Sequence, residues 1–463
     1  MWARMALPAA PSESPAEPAA AAGLKLALSL LEEGALTSRA DRSRRSHGAR
    51  AVPSAGAVYP YEFAVITLEN GAPTAFRIDA DRRAVTRVAA GERVAQALHA
   101  SALAIPADGG AVVVTLTRPW LSMRKYGDRG YLYTQLDAGH AAGNLLLATT
   151  GRGAPGTLRL RLPRVPLSDL LEAAENCREV HSALLVPAAA ADDAWTRWTL
   201  HDGADRERRV PTWRSWLEKT CWDSLTARAE HPRTTPAPDA SAPLAQLRDS
   251  GRPAGGQDGL GDPSEWPKLL ASRASSKAFV PARVPAADVW QAVSALSTPV
   301  RTDLPAGSPM GATLVLRSAE EPGQNAVHPL TGDGAARPDR LPSADEVVRA
   351  CMQQRTLAGA AAVVLLHAPR TALSDTGTDP ADGAEDLREL AFRCGALGQL
   401  LYLGANRARI GVTGVGGFDA ALWHTLAGLP ESDEILYVLL LGQPDDSGVK
   451  LDRLATAHAQ NER

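Results

Sequence analysis

Apolar positions along this chain fall into two series with the same order. Leu24, Leu28 and Leu31 recur at i, i+4 and i+7, the spacing that gathers side chains on one helix face. Tyr61 to Ile66 reads as a strand that runs up to the turn signal Glu69-Asn70-Gly71. Ala111 to Leu116 is a continuous β-branched run, as expected of a strand buried on both faces. After a polar stretch, Gly139 to Leu147 follows as an apolar helix pattern, and Val180 to Val186 as a last strand. The second series supplies a helix pattern over Val289 to Leu296, a buried strand over Ala361 to Leu366, a helix over Cys394 to Tyr402 and a strand over Ile435 to Leu441. Both long helix patterns place small residues at i and i+4, which lets another helix approach closely. The matched order predicts a duplicated unit, with two independent α/β domains that look alike by chance as the alternative.

Composition adds limits. A chain of 463 residues is long for one domain and natural for two. Residues 226–264 carry Thr-Thr-Pro-Ala-Pro, Gly-Arg-Pro-Ala-Gly-Gly and Gly-Leu-Gly-Asp-Pro, a composition that reads as a linker between residues 23–225 and 265–463. Residues 1–22 are Ala/Pro-rich, with Glu13 and Glu17 where a signal peptide would need an apolar core, and are expected to be a disordered lead-in. The net charge of -3 gives no support to nucleic-acid binding. The strong apolar run Leu357 to Leu366 is too short to span a bilayer. Four scattered cysteines (Cys177, Cys221, Cys351, Cys394) argue against a disulfide framework or a zinc site and fit a reducing cytoplasm.

Chemistry concentrates in a few segments. The first half holds Pro53-Ser54-Ala55-Gly56-Ala57-Val58-Tyr59-Pro60, then Lys125-Tyr126-Gly127-Asp128-Arg129-Gly130-Tyr131, then Leu136-Asp137-Ala138-Gly139-His140. Together these resemble the flavin-dependent azoline dehydrogenases (SagB-type) of ribosomal-peptide biosynthesis, within the nitroreductase fold. The resemblance implies an α+β protein of two fused nitroreductase-like domains, each with a central, mostly antiparallel sheet flanked by helices, forming a dimer-like unit within one chain. It also implies oxidation of thiazolines or oxazolines in a precursor peptide to azoles, FMN as cofactor, and a cyclodehydratase partner. In the family the Lys-Tyr pair is catalytic, so Lys125 and Tyr126 are the expected catalytic residues. Asp137 and His140 are expected to orient this segment.

The second half opens with Arg273-Ala274-Ser275-Ser276-Lys277-Ala278-Phe279 and closes with Gly414-Val415-Gly416-Gly417-Phe418-Asp419. The first resembles the family's flavin-phosphate segment, and the chemistry suits: Arg offers a bidentate fork and Ser a neutral donor. The second resembles the loop that lies along the flavin ring, where a Cβ would clash. Asp419 can also cap the following helix, and both readings can hold together. Lys450 and Arg453 are further candidates for the phosphate. Since family dimers bring the Pro-Ser loop of one subunit to the flavin of the other, the resemblance implies one composite site. Arg273, Ser275, Lys277, Gly416 and Gly417 would come from the second half, and Pro53, Ser54 and Ala55 from the first. The opposite site is expected to be degenerate, and a fused pair removes the main reason to dimerise. Arg44-Arg45-Ser46-His47 is read as a solvated loop or a substrate contact rather than a phosphate clamp.

An azoline has an acidic Cα–H beside a carbonyl and the ring C=N. Lys and Tyr are poor bases near neutrality unless perturbed, and adjacent Lys and Tyr can tune one another. Trp195, Trp198, Trp213, Trp216 and Trp222 cluster in sequence, either to pack that segment onto the body or to line a peptide groove. Two rival functions stay open: a nicotinamide-dependent nitro or quinone reductase of the same fold, and a non-catalytic scaffold that binds a peptide.

Overall fold

Asn70 and Gly71 both take positive φ, 51° and 78°, so the chain reverses within two residues and β1 (Tyr61–Glu69) pairs antiparallel with β2 (Ala72–Asp79). The computed structural model describes residues 21–36, 50–80, 82–107, 109–201, 213–226, 240–248, 259–305, 309–331, 340–373 and 380–445. The first half continues with β3 (Ala84–Ala90), β4 (Ala111–Thr117), β5 (Thr157–Arg159), β6 (Glu179–Val186) and β7 (Thr199–His201). Two short strands follow, β8 (Ala240–Pro243) and β9 (Pro299–Thr302). The second half holds β10 (Gly311–Leu316), β11 (Ala326–Pro329), β12 (Ala362–Pro369), β13 (Gly411–Val415) and β14 (Asp433–Gly442).

The strands form two sheets, ordered β7-β3-β2-β1-β4-β6-β5-β9-β8 and β11-β10-β12-β14-β13. The run β2-β1-β4-β6-β5 of the first matches the whole of the second, strand for strand. Even a register irregularity repeats, between Thr115 and Leu116 where β4 meets β6 and between Leu366 and His367 where β12 meets β14. All pairings are antiparallel except β3 with β7 and β5 with β9. The duplication expected from the apolar pattern, and the α+β fold that the resemblance implies, are what the structure shows.

Each half sends one long helix through the centre, Arg129–Gly151 and Pro380–Arg407. The first is buried along nearly its whole length, as a helix apolar on all sides must be. The two helices cross at their glycines. A Cβ on Gly139 would lie 2.8 Å from the Phe392 carbonyl oxygen, and one on Gly395 would collide with the Leu136 carbonyl. Gly143 meets Ala396 in the same way that Gln399 meets His140. These reciprocal contacts define a local two-fold relation, which equates Gly139 with Gly395 and Asp137 with Arg393. A buried polar pair crosses the same seam, where Gln399 Nε2 donates to Asn144 Oδ1 at 2.6 Å; within the first half Asn144 Nδ2 donates to the Gly34 carbonyl at 2.5 Å.

The stretch read from composition as linker contains more structure than its Pro and Gly content suggests. Residues 240–248 are ordered, β8 pairs with β9, and Leu244 and Ala245 are buried. An edge strand needs hydrogen bonds on one side only, so Pro243 costs no ladder partner there. Through β9, which also pairs with β5 at Leu158 and Thr302, the second half extends the first half's sheet. Of the lead-in expected over residues 1–22, Ala22 already begins the first helix, Ala22–Leu31; residues 1–20 and the Arg44–His47 cluster lie outside the described residues.

Candidate active site

The Pro-Ser loop is held by one buried carboxylate. Asp137, on the first long helix and 4% exposed, accepts the Ser54 hydroxyl at 2.5 Å and the Ala55 N–H at 3.3 Å. Ser54 Oγ in turn accepts the Tyr59 N–H at 2.8 Å, which closes the loop on itself. Burial pushes the Asp137 carboxyl up to about 7, against the lowering effect of the Ser54 and Ala55 bonds. Gly56 has φ of 59°, and a Cβ there would collide with both the Tyr126 hydroxyl and the Lys125 ammonium. Two segments far apart in sequence therefore meet at one glycine. Lys125 is exposed and Tyr126 half-buried, with the ammonium 5.2 Å from the Tyr126 ring centroid.

The Lys-Tyr pair ends a short helix, Trp120–Tyr126, whose entry is fixed by a bidentate ion pair from Arg118 to Glu218, both bonds 2.6 Å. Glu218 belongs to the helix Trp213–Thr226, which places Cys221 Sγ 3.9 Å from Met123 Sδ. In that tryptophan-rich region Trp222 is buried, Trp195 and Trp198 are half-buried, and Trp216 is 67% exposed. Packing accounts for the first three; Trp216 faces outward.

The second half approaches from the other side. The segment from Arg273 runs beside β13, where Ser276 N–H donates to the Val412 carbonyl at 2.8 Å. Arg273 is buried and spans the halves. Its Nε donates to the Ala51 carbonyl at 2.5 Å, Nη2 to the Arg50 carbonyl at 3.4 Å and Nη1 to Ser275 Oγ at 3.0 Å. Ser275 donates to the Tyr402 hydroxyl at 3.2 Å, and that oxygen also accepts the Gly414 N–H at 2.8 Å. Lys277 is half-buried and has no hydrogen-bond or ion-pair partner among the described residues. Gly416 and Gly417 follow β13, and Asp419 caps the next helix by accepting the Leu422 N–H at 3.0 Å. Beside Gly417 there is open space among the described residues, with Met352 Cγ 3.7 Å from where a Cβ would stand.

Tyr133 joins the two sides. Its hydroxyl donates to the Gly416 carbonyl at 2.6 Å, and its ring meets Tyr126 edge-on at 5.1 Å between centroids. Sequence reasoning counted Tyr133 only among the residues around the Lys-Tyr pair that match the family pattern and gave it no role, since one Tyr in an apolar helix reads as packing. Of the expected residues, Pro53, Ser54, Ala55, Lys125, Tyr126, Arg273, Ser275, Lys277, Gly416 and Gly417 fall in these converging segments. Lys450 and Arg453 lie outside the described residues. His140 is buried, shares hydrogen bonds with Gln399 at 3.2 Å and Tyr437 at 3.1 Å, and is pushed down to about 3 by burial. It is a neutral structural group.

The two-fold-related place is filled by the chain itself. Leu160 and Arg161 follow β5 as Gly416 and Gly417 follow β13, and both give their N–H groups at 2.9 Å to Asp303, in the segment leading into β10. Arg393, the counterpart of Asp137, donates to the Leu244 and Pro305 carbonyls at 3.2 and 2.9 Å. Arg161 forms a bidentate pair with Glu389 at 2.5 and 2.8 Å.

The nitroreductase family model matches residues 28–157 and 270–443, more than half of the chain. The chain belongs to the nitroreductase family. A nitroreductase-like protein of Methanocaldococcus jannaschii is 32% identical over 113 residues, which are 23% of this chain and 55% of that protein. The chain thus spans about half the length of the curated relative it matches. A solved nitroreductase-like protein from Anabaena variabilis has the same fold over 90% of this chain and 88% of its own, with a TM-score of 0.61 and 18% identity. A chain of the E. coli microcin synthetase McbBCD complex, solved with truncated pro-MccB17, aligns over 41% of this chain and 75% of its own, with a TM-score of 0.30 and 15% identity. Membership of the family makes this a flavin oxidoreductase fold. Among the described residues no helix is long and apolar enough to cross a membrane, and no cluster of His, Cys, Asp or Glu could hold a metal ion.

Proposed function

We propose that the chain is an FMN-dependent dehydrogenase that oxidises azoline rings of a peptide to azoles, using one composite site per chain. The observation that carries this reading is the convergence of Lys125 and Tyr126 on Gly56 of the Pro-Ser loop, linked through Tyr133 to Gly416. The two units would be residues 23–225 and 265–463, joined by 226–264, and would act as a single-chain pseudo-dimer.

The residues present fit a flavin. Lys277 has no hydrogen-bond or ion-pair partner among the described residues, and a half-buried ammonium of this kind suits a phosphate. Arg273 and Ser275 would flank that phosphate, Lys450 and Arg453 would add charge, and the open side of Gly417 would admit a flat ring. Pro53, Ser54 and Ala55 would border the ring from the first half. Ser54 has its hydroxyl proton committed to Asp137, so it would serve by holding the loop.

The flavin, when bound, supplies the acceptor for the hydride that leaves the ring Cβ. The chain's own task is the Cα proton. We give proton acceptance to the Tyr126 phenol oxygen, which shares the Gly56 surface with the Lys125 ammonium. The Lys125 ammonium beside that oxygen favours its charged form, so the two act as a unit. The substrate would be a precursor peptide already cyclised by a cyclodehydratase partner.

The M. jannaschii relative's description favours a different reading, reduction of nitro compounds, which on this fold would draw on a nicotinamide cofactor. Two assays separate them: loss of two hydrogens per azoline ring by mass spectrometry, and NAD(P)H consumption. Tyr126→Phe and Lys125→Ala are expected to keep FMN and to lose azole formation by about a hundredfold or more. Full azole formation by both variants overturns the assignment.

A further inference from the structure

We infer that Asp137 is a positioning residue for this reaction: its carboxylate holds the Pro-Ser loop so that Gly56 stays against Lys125 and Tyr126. The inference rests on the reaction proposed above, but the contact it describes can be tested without it.

The loop needs holding. Gly56, Ala57 and Tyr59 have φ of 59°, 55° and 51° within four residues, and two of the three carry a Cβ. Such a segment persists only where its surroundings over-determine it. The over-determination is visible: Asp137 takes one bond from the Ser54 side chain and one from the Ala55 backbone, and Ser54 passes the restraint to Tyr59. Bonds to a charged acceptor are stronger than neutral ones, so this restraint is strongest above about pH 7, where Asp137 carries its charge. A loop so fixed leaves the Lys125 ammonium and the Tyr126 hydroxyl a defined surface at Gly56, where no side chain other than hydrogen would fit.

The helix crossing does not itself require a carboxylate here. The same place on the other long helix holds Arg393, and there the neighbouring segment presents the Pro305 carbonyl as an acceptor. Carboxylate goes with the Pro-Ser loop, and arginine with the self-filled side.

The carboxylate also works against stability. Burial raises Asp137 to about 7 in the folded chain, from the ordinary carboxyl value near 4. Between those values the folded chain keeps a proton that the unfolded chain has lost, so this group lowers stability as pH rises through that window. The groups facing it do not share that titration. Tyr61 and Tyr437 are pushed up by burial, and His140 is pushed down to about 3. Asparagine would fill the same volume without this cost, at the expense of the charged acceptor.

The test compares full-length, FMN-loaded wild type and Asp137→Asn by hydrogen exchange. Exchange at Ala55 and Tyr59 is expected to rise about tenfold, the scale of one lost net hydrogen bond, with the 139–147 helix unchanged. Azoline turnover is expected to fall in kcat with KM unchanged. The melting temperature of the variant relative to wild type is expected to rise between about pH 4 and about pH 7. Ser54→Ala, which spares the buried carboxyl, gives the same loop readout should Asp137→Asn not fold. Unchanged loop exchange in a folded variant, or faster exchange with full kcat, overturns the inference. A wild-type chain that binds FMN and leaves azolines untouched sinks the proposed reaction instead, and the exchange result still decides what Asp137 holds.

Discussion

Lys125 and Tyr126 are neighbours in sequence with different surroundings, and the difference is what the sequence could not supply. The motif names both residues, but exposure separates them, and their meeting with Gly56 depends on two segments about seventy residues apart. Tyr133 is the clearest residue hidden from the sequence. Its hydroxyl bond crosses from one half to the other, and no local pattern encodes a contact across such a span. Burial pushes the Tyr133 phenol up, so it serves as a neutral donor. Tyr133→Phe keeps the ring contact with Tyr126 and removes the bond to Gly416. The expected cost is about 1 kcal/mol in urea denaturation, with weaker flavin retention. Unchanged flavin affinity would mean that the Gly416 loop holds its place without this bond.

At the scale of elements, the strands and long helices were legible because each is a sustained apolar run or periodic pattern, and those are set locally. The small residues of the two helices likewise announced a close crossing, and Gly139, Gly143 and Gly395 make it. Strand β8 was not legible, because its Pro- and Ala-rich sequence has no strand signal of its own and is ordered by β9 beside it. Gly395→Ala tests the crossing. Alanine is the better helix former by about 1 kcal/mol, yet its Cβ would strike the Leu136 carbonyl, and overpacking of this kind costs about 1–3 kcal/mol. A lower urea midpoint with loss of flavin is expected, since the halves must separate to admit the methyl. A more stable variant would show that the helices are not in register as described.

For the whole molecule, duplication explains more than any single motif. A symmetric pair would carry two equal sites, and here the two sides have diverged in opposite directions. One keeps the Pro-Ser loop, the Lys-Tyr pair, the open Gly417 and a Lys277 with no partner among the described residues. The other spends its backbone N–H groups on Asp303 and its helix position on Arg393. Motif complementarity between the halves was readable in the sequence, whereas the self-filling of the second side was not. It is made of ordinary residues, Asp303, Leu244 and Pro305, brought together by β9 and the linker strand. One site per chain has a countable consequence. Cofactor released from the purified full chain, identified and measured against protein, is predicted to be FMN at about one per chain, from one composite site of the kind this fold builds between subunits. Two flavins per chain, or none after FMN is supplied, would contradict it.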